Sequence, residues 1–199
     1  MRAMAAIDVF DSPFGPIVIA ATAKGISHVV LKPTRREIKG ASLPCGTGIP
    51  SASLRTSLPV SERSQDGRVT RPGQPNPAAR KALAHVRQLR EELTRYFAGE
   101  AFAFDVPFDL SGGTVFQRAI WRACARIPHG QTRSYAEVAR MAGRPAAARA
   151  TGNALHNNPV PIVVPCHRVI KSDGSLGGFG GGVSLKKGLL RLEGSVWRG

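Results

Sequence analysis

The chain has 199 residues, of which 42% are hydrophobic, and it carries a formal net charge of +15 and three cysteines. This length allows one large globular domain or two small ones, and no stretch approaches the roughly 20 apolar residues of a membrane-spanning helix. The N-terminus lacks the apolar core of a signal peptide, and an odd number of cysteines without a CxxC pair argues against a disulfide framework and a zinc site. We therefore expect free thiols in a cytoplasmic protein that spans no membrane and binds no metal.

The positive charge is concentrated in the second half of the chain. Residues 112–199 contain 13 Lys and Arg against 3 Asp and Glu. A field of this sign attracts polyanions, so the first partners to consider are a nucleic acid and an acidic membrane surface. The same half contains Cys166 and His167, the residue pair with the clearest potential for chemistry.

Residues 5–31 predict a β-meander, because apolar runs at 7–10, 17–21 and 26–31 are separated by turn residues. Residues 32–75 are rich in Ser, Pro, Gly and Arg and have neither helical nor strand periodicity, which predicts a mobile insertion. Cys45 lies within that insertion, where we expect its thiol to have no function.

Asn76 and Pro77 predict the start of a helix, as an N-cap and a first-turn proline. Gly99 marks its end. The apolar residues that recur at helical spacing between them are Ala79, Leu83, Val86, Leu89, Leu93 and Phe97. Residues 102–110 alternate between polar and apolar, which is typical of a strand or an extended segment. The glycines that follow separate an N-terminal domain, residues 1–110, from a C-terminal domain, residues 111–199.

Two capping boxes predict helices in the C-terminal domain, one formed by Thr114 and Gln117 and the other by Ser134 and Glu137. A further helix is predicted from Pro145 to about residue 155. The helix that Ser134 begins and this further helix form a candidate helix-turn-helix. Many helical hairpins bind nothing, but in a domain this basic the pattern favours DNA binding as much as a purely structural role.

The stretch from residue 159 to residue 170 reads PVPIVVPCHRVI and places a thiol, an imidazole and a guanidinium between β-branched residues. A cysteine reacts as its thiolate, which a neighbouring base must generate. Adjacent side chains on a strand point to opposite faces, so His167 can act on Cys166 only across a turn or through a water molecule. Glu193 is the only acidic residue among the last 25 and could orient the imidazole.

Two kinds of chemistry are compatible with these residues. One is a cysteine hydrolase that forms an acyl-enzyme, which would need an oxyanion hole and a substrate groove. The other is attack by the thiolate on a small electrophile carried by nucleic acid. That chemistry would use the basic domain, the helix pair and the glycine-rich loop at 177–182 together. After this loop, Ser184 is predicted to cap the last helix.

With PCHR at its centre, this stretch resembles the active-site domain of the O6-alkylguanine-DNA alkyltransferases, also called methylated-DNA–protein-cysteine methyltransferases. The strong part of the match covers about residues 114–194, and a looser part covers 5–31 and 77–110. The resemblance implies an α/β fold, with a ribonuclease H-like N-terminal α/β domain and a mostly helical C-terminal domain that contains a helix-turn-helix. It also implies a monomer that acts once, without a cofactor, on double-stranded DNA carrying alkylated guanine.

The resemblance implies roles for four residues at the catalytic centre. Cys166 is the thiol that accepts the alkyl group, and His167 is the base that acts on it through a water molecule. Glu193 is the acid that orients the imidazole. Asn158 organises the turn that precedes the cysteine.

For DNA binding, the resemblance implies that the second helix of the pair lies in the minor groove. Arg149 then enters the base stack where the target nucleotide is flipped out. Tyr135 helps to rotate the nucleotide and can donate a proton to the leaving base. Gly152 allows the helix to approach DNA closely, and Ala150 lies on the same contact surface.

The base pocket implied by the resemblance is formed by Val164, Pro165, Phe179 and Gly180. Some family members carry Tyr-Ser where this chain has Phe179-Gly180, so a hydroxyl contact to the base is lost. The predicted function is repair of O6-alkylguanine, with O4-alkylthymine as a second candidate substrate, by transfer of the alkyl group to Cys166. The alternative from another class is a DNA-binding damage sensor or regulator without catalysis.

Overall fold

A computed structural model of the chain describes residues 6–33, 76–100 and 103–198. Its elements in chain order are β1 (Ala6–Ser12), β2 (Gly15–Thr22), β3 (Gly25–Leu31), α1 (Pro77–Phe97), α2 (Val115–Ala125), β4 (Arg133–Ser134), α3 (Tyr135–Met141), α4 (Ala148–His156), a 3-10 helix (Cys166–Arg168), β5 (Val169–Ile170) and α5 (Val183–Leu192). Apart from its first two residues, the predicted insertion with Cys45 lies outside the described residues. Across the described ranges, no helix is long and apolar enough to cross a membrane.

The predicted meander is confirmed. Strands β1, β2 and β3 form an antiparallel sheet in chain order, with Val9 opposite Val18 and Val18 opposite Val30. Helix α1 packs against this sheet, and its first turn is capped by Asn76, whose Oδ1 accepts from the Ala79 amide at 2.8 Å.

The buried stripe of α1 contains three of the six predicted residues, Val86, Leu89 and Leu93. It is formed by Ala82, Val86, Leu89, Glu92, Leu93 and Tyr96. Leu83, which was predicted to face inward, is 45% exposed because it lies about 100° around the helix from Ala82. The shift brings Tyr96, rather than Phe97, to the fully buried position at the end of the helix.

The segment before the domain boundary is extended, as one of the two predicted alternatives, but it is not a strand. Residues 103–110 form a single parallel bridge, between Phe108 and Ile26 of β3. The Ile26 amide donates to the carbonyl of Pro107 at 2.7 Å, and the Asp109 amide donates to the carbonyl of Ile26 at 2.8 Å. Pro107 has no N–H group, which prevents the ladder from continuing through it.

Both predicted capping boxes are present, at the starts of α2 and α3. The start of α4 was predicted wrongly: Pro145 lies in a turn, and the helix begins at Ala148 without a side-chain cap. The start of α5 was also predicted wrongly, because its N-cap is Gly182, with a φ of 89°, and not Ser184. The indole Nε1 of Trp121 donates to the Ala154 carbonyl at 2.8 Å and ties α4 to α2.

The two halves of the chain share a core and form an α/β fold with an N-terminal sheet and a helical C-terminal part. One cluster of buried side chains includes Ile19 and Leu93 from the N-terminal half and Trp121 and Leu189 from the C-terminal half. Near the predicted active site, the amide of Val29 in β3 donates to the carbonyl of Pro159 at 2.8 Å. The sheet therefore supports the loop that leads to Cys166. The division into domains at residues 110 and 111 stays a prediction.

Candidate active site

The apolar run before Cys166 folds into a compact turn. The Val164 amide donates to the carbonyl of Val160 at 2.9 Å, and the Cys166 amide donates to the carbonyl of Val164 at 2.8 Å. Ile162 within this turn has a φ of 75°, which a β-branched residue rarely adopts, and its side chain is buried. The 3-10 helix then begins at Cys166. Of the two predicted alternatives, a turn or a bridging water, the structure shows a turn at the thiol and the imidazole.

The thiol of Cys166 is buried and receives a hydrogen bond from Asn158. The Nδ2 atom of Asn158 lies 3.1 Å from Sγ of Cys166 and 2.8 Å from the carbonyl oxygen of Val164. Burial raises the pKa of Cys166, although the Asn158 amide, the charge of Lys186 and the backbone N–H groups of Cys166 and His167 favour the thiolate. At neutral pH the resting group is therefore a thiol.

His167 is fully buried and pairs with Glu193 at the end of α5. The Nε2 atom of His167 lies 2.8 Å from Oε1 of Glu193. Because burial lowers the pKa of His167 and the carboxylate only accepts, the neutral imidazole carries its proton on Nε2. Its Nδ1 atom, which has no hydrogen-bond partner among the described residues, is then left as the basic nitrogen.

Two further residues bind Glu193, and sequence reasoning assigned neither of them a role. Arg168 donates from Nε to Oε2 at 2.8 Å and from Nη2 to Oε1 at 2.9 Å, and Tyr96 donates its hydroxyl to Oε1 at 2.7 Å. Burial alone would raise the pKa of Glu193, but the hydrogen bonds from His167 and Arg168 and the charge of Arg168 hold it well below its ordinary range. Glu193 is thus an anion fixed between two halves of the chain.

Lys186 is a buried cation that sequence reasoning also missed. Its Nζ donates to the carbonyls of Val169 at 2.6 Å and Leu176, with a longer contact of 3.5 Å to Gly178. It thereby holds the start of the glycine-rich loop against β5. Burial lowers the pKa of Lys186 to about 8. Its spacing of seven residues from Glu193 puts both on one face of a helix, but that spacing does not reveal that the lysine is buried.

The predicted pocket residues differ in their burial and contacts. Val164 and Pro165 are buried directly before Cys166, and the ring of Phe179 meets the His167 imidazole edge-on, with 6.4 Å between centroids. Gly180 is exposed. Tyr135, at the start of α3, lies across the backbone of Gly177: a Cβ on that glycine would come within 2.8 Å of the tyrosine hydroxyl.

Tyr135 belongs to the same electrostatic environment as the thiol. Burial and the charge of Cys166 raise the pKa of Tyr135, so that its hydroxyl stays protonated. The predicted roles of Tyr135 and of the pocket residues stay predictions.

Of the predicted DNA-contacting residues of α4, two are exposed and Gly152 is half-buried. Arg149 and Ala150 are both exposed. A Cβ added to Gly152 would lie 3.8 Å from the ring of Tyr135, an ordinary contact distance. The protein interior therefore has room for an alanine at 152, and the predicted reason for this glycine, close approach to DNA, stays a prediction.

In the described parts of the chain, no group of three or more His, Cys, Asp or Glu side chains is arranged to hold a metal ion. The titratable groups around Cys166 are instead bound to each other and to backbone carbonyls. The chemistry of this site is that of a buried thiol with a base and an anchored acid.

A family model described as the DNA-binding domain of 6-O-methylguanine DNA methyltransferase matches residues 115–195. A curated methylated-DNA–protein-cysteine methyltransferase of Methanosarcina acetivorans is 34% identical over 187 residues, which cover 94% of this chain and 97% of that protein. The chain belongs to the family of methylated-DNA–protein-cysteine methyltransferases. The family predicted from PCHR and its surroundings is thereby confirmed.

Other members of this methyltransferase family are similar to different lengths of the chain. The enzyme of the same name from Mycobacterium bovis is 53% identical over 103 residues, and this match covers 52% of the chain and 62% of the relative. A crystal structure described as Mycobacterium tuberculosis OGT in complex with DNA aligns with a TM-score of 0.65 and 36% identity. That alignment covers 94% of this chain and 91% of the other, so the similarity of fold extends over both halves.

Proposed function

We propose that this protein repairs DNA by transferring an alkyl group from O6-alkylguanine to Cys166, irreversibly and once per molecule, with O4-alkylthymine as a second candidate substrate. The observation that carries the proposal is the buried thiol of Cys166, bonded to Asn158 at 3.1 Å and followed by a His167–Glu193 pair at 2.8 Å. A nucleophile, a base and an orienting acid are thus supplied by the chain itself. Its relatives from Methanosarcina and Mycobacterium carry a matching name.

In the proposed reaction, Nδ1 of His167 takes the proton of Cys166 through a water molecule. The thiolate then attacks the alkyl carbon attached to O6, so that a C–S bond forms as the C–O bond breaks. The electron pair of the broken bond goes to the guanine oxygen, and the hydroxyl of Tyr135 donates a proton to the guanine. The proton held by His167 is released to solvent, and Tyr135 takes a proton back from solvent. The products are guanine and an S-alkyl cysteine.

The positions of the donors fit the needs of this displacement. Hydrogen bonds from Asn158 and the backbone stabilise negative charge on sulfur, while burial excludes bulk water that would solvate it. No hydrolytic step in this scheme cleaves the thioether, so the protein is consumed by one transfer. The scheme requires no cofactor because nothing is oxidised or reduced.

We propose further that the substrate is double-stranded DNA, bound through α3 and α4 in the minor groove. The alkylated base lies within the stack of a duplex and must be flipped out to reach a buried thiol. Arg149 is exposed on α4, where its side chain is free to occupy the position that the base leaves. The excess of basic over acidic residues in 112–199 supports attraction to the phosphate backbone. The free thiols of Cys124 and Cys166 fit a reducing compartment, and we therefore propose the cytoplasm.

The experiment that tests this proposal measures the conversion of O6-methylguanine to guanine in DNA. A duplex with one O6-methylguanine is incubated with increasing amounts of the protein, and the nucleosides are then quantified. We expect guanine to appear in proportion to the protein added, with an end point of one base per chain, and no conversion by Cys166→Ala. A lesion that is bound but unchanged would identify the chain as a damage sensor instead.

A further inference from the structure

The carboxylate of Glu193 is contacted by a residue from the other half of the chain. The hydroxyl of Tyr96, near the end of α1, donates to Oε1 across 2.7 Å. The same oxygen accepts from Nε2 of His167 at 2.8 Å and from Nη2 of Arg168 at 2.9 Å. Tyr96 precedes Glu193 by 97 residues, and its side chain is fully buried. The contact is therefore a specific tertiary bond at the base of the proposed active site.

We propose that Tyr96 is a positioning residue for alkyl transfer, whose hydroxyl limits how strongly Glu193 pulls on the His167 N–H and so sets the basicity of that imidazole. The role in transfer rests on the proposed function, whereas the coupling between Tyr96 and His167 rests on the hydrogen bonds alone. The proposal gives the N-terminal half a chemical task in addition to its structural one.

The reason lies in competition for one oxygen atom. Donors from Tyr96, His167 and Arg168 converge on Oε1, whereas a carboxylate oxygen has about two lone-pair sites. The hydrogen bond from the phenol reduces the negative charge that the carboxylate presents to His167. The carboxylate therefore stabilises an imidazolium less well. Loss of the hydroxyl should therefore strengthen the bond between Oε1 and the imidazole and raise the pKa of His167.

The other groups that act on the imidazole are retained when Tyr96 loses only its hydroxyl. Burial raises the pKa of Tyr96, so the phenol remains a donor across the pH range in which the imidazole titrates. The titratable and charged groups that face His167 or Tyr96 are Glu193 and Lys186 from α5 and its end, Cys166 and Arg168 from the 3-10 helix, and His129 before β4.

A purely structural role for Tyr96 would be carried by its ring. The ring packs against Phe104, with centroids 5.5 Å apart, and against His129 at 6.3 Å. Tyr96→Phe keeps these contacts and removes only the donor to Glu193. Phe104→Leu does the reverse, because it disturbs the packing of the ring and keeps the hydroxyl. The two variants thus separate the two roles.

The test is an NMR titration of His167 in the full-length chain labelled with ¹⁵N-histidine. The chain has five histidines, and the spectrum of His167→Gln identifies the signal. We expect the titration midpoint to lie at higher pH in Tyr96→Phe than in the wild type, and to be unchanged in Phe104→Leu. The pH profile for alkyl transfer from an O6-methylguanine duplex should be displaced to higher pH in the same way. On its acid side, Tyr96→Phe should transfer the alkyl group about three- to tenfold more slowly than the wild type.

A second measurement decides the matter even if Tyr96→Phe does not fold. The chain has two tyrosines, so 3-fluorotyrosine incorporated into the variant Tyr135→Phe modifies Tyr96 alone. A fluorinated phenol is a stronger donor, and we expect it to move the His167 midpoint to lower pH than in unlabelled Tyr135→Phe. A His167 midpoint that is the same with and without fluorine on Tyr96 would overturn the proposal. A wild-type chain that transfers no alkyl group would overturn the proposed function instead, because the imidazole titration needs no transfer.

Discussion

The amide of Asn158 lies between the thiol of Cys166 and the loop that precedes it. Its Nδ2 donates to Sγ of Cys166 at 3.1 Å and to the carbonyl of Val164 at 2.8 Å. Its Oδ1 accepts from the Val160 amide at 3.1 Å, which fixes the orientation of the side chain. The donor therefore faces the sulfur, where it stabilises the thiolate more than the thiol.

Replacement of Asn158 by alanine should slow alkyl transfer by about 10- to 100-fold, because the hydrogen bond to a forming anion is lost. The pKa of Cys166 should rise further, since the Asn158 bond lowers it. Single-turnover rates and the pH dependence of thiol alkylation measure both effects. Asn157→Ala is the matched control, because Asn157 is exposed and its Nδ2 donates to the Asn153 carbonyl. Equal rates in the two variants would contradict the role of Asn158.

The pH dependence of transfer follows from two opposite shifts. Burial lowers the pKa of His167 below 6.5 and raises that of Cys166 above 9.0, so the neutral pair is the resting state between these values. Protonation of His167 removes the base. The single-turnover rate should therefore be level near neutral pH and fall on the acid side only below pH 6.5. An acid limb centred above pH 6.5 would show that His167 is not the group that limits transfer.

Replacement of Arg168 by methionine should destabilise the folded protein strongly. Its guanidinium forms two bonds to Glu193, and its Nη1 donates to the carbonyl of Ile127 at 2.6 Å. Removing it leaves the buried carboxylate of Glu193 without its cation, at a cost of about 3–5 kcal/mol. Denaturant unfolding measures this loss. Arg191→Met, at an exposed position of α5, should change the free energy of unfolding by less than about 0.5 kcal/mol. A similarly small change for Arg168→Met would refute the interpretation.

Replacement of Arg149 by alanine should affect transfer from duplex DNA far more than transfer from the free base O6-methylguanine. The free base needs no extrusion from a stack, so an exposed side chain that replaces the flipped nucleotide has no task there. Arg122→Ala, on α2, removes the same charge outside the helix pair and serves as the control. Comparable losses on duplex and free base for Arg149→Ala would argue against the extrusion role.

The parts of the fold that were predictable are those with local signals. Thr114 and Ser134 each have a partner three residues later that completes a capping box, and both helices begin as expected. The start of α4 was missed because Ala147 caps it without a side-chain bond, while Pro145 offered a misleading signal. Likewise, the N-cap of α5 is Gly182, which begins the helix through its backbone conformation. Ser184, a residue type that often caps helices, indicated the wrong start.

The candidate site divides in the same way. Cys166 and His167 are adjacent in the chain, and Asn158 lies eight residues before the thiol with which it bonds, so a short motif contains them. The bond between Tyr96 and Glu193 depends on how α1 packs on the C-terminal half, which no spacing reveals. Lys186 was hidden for another reason: a cation among apolar residues is read as exposed unless its carbonyl partners are known.

The central claim is that the alkyl group ends on Cys166. We would incubate the protein with a duplex carrying O6-[¹⁴C-methyl]guanine, digest it and identify the labelled peptide by mass spectrometry. The account predicts one methyl group per chain, attached to Sγ of Cys166, with no release on prolonged incubation. Label on another residue, or label released as the protein turns over repeatedly, would contradict it.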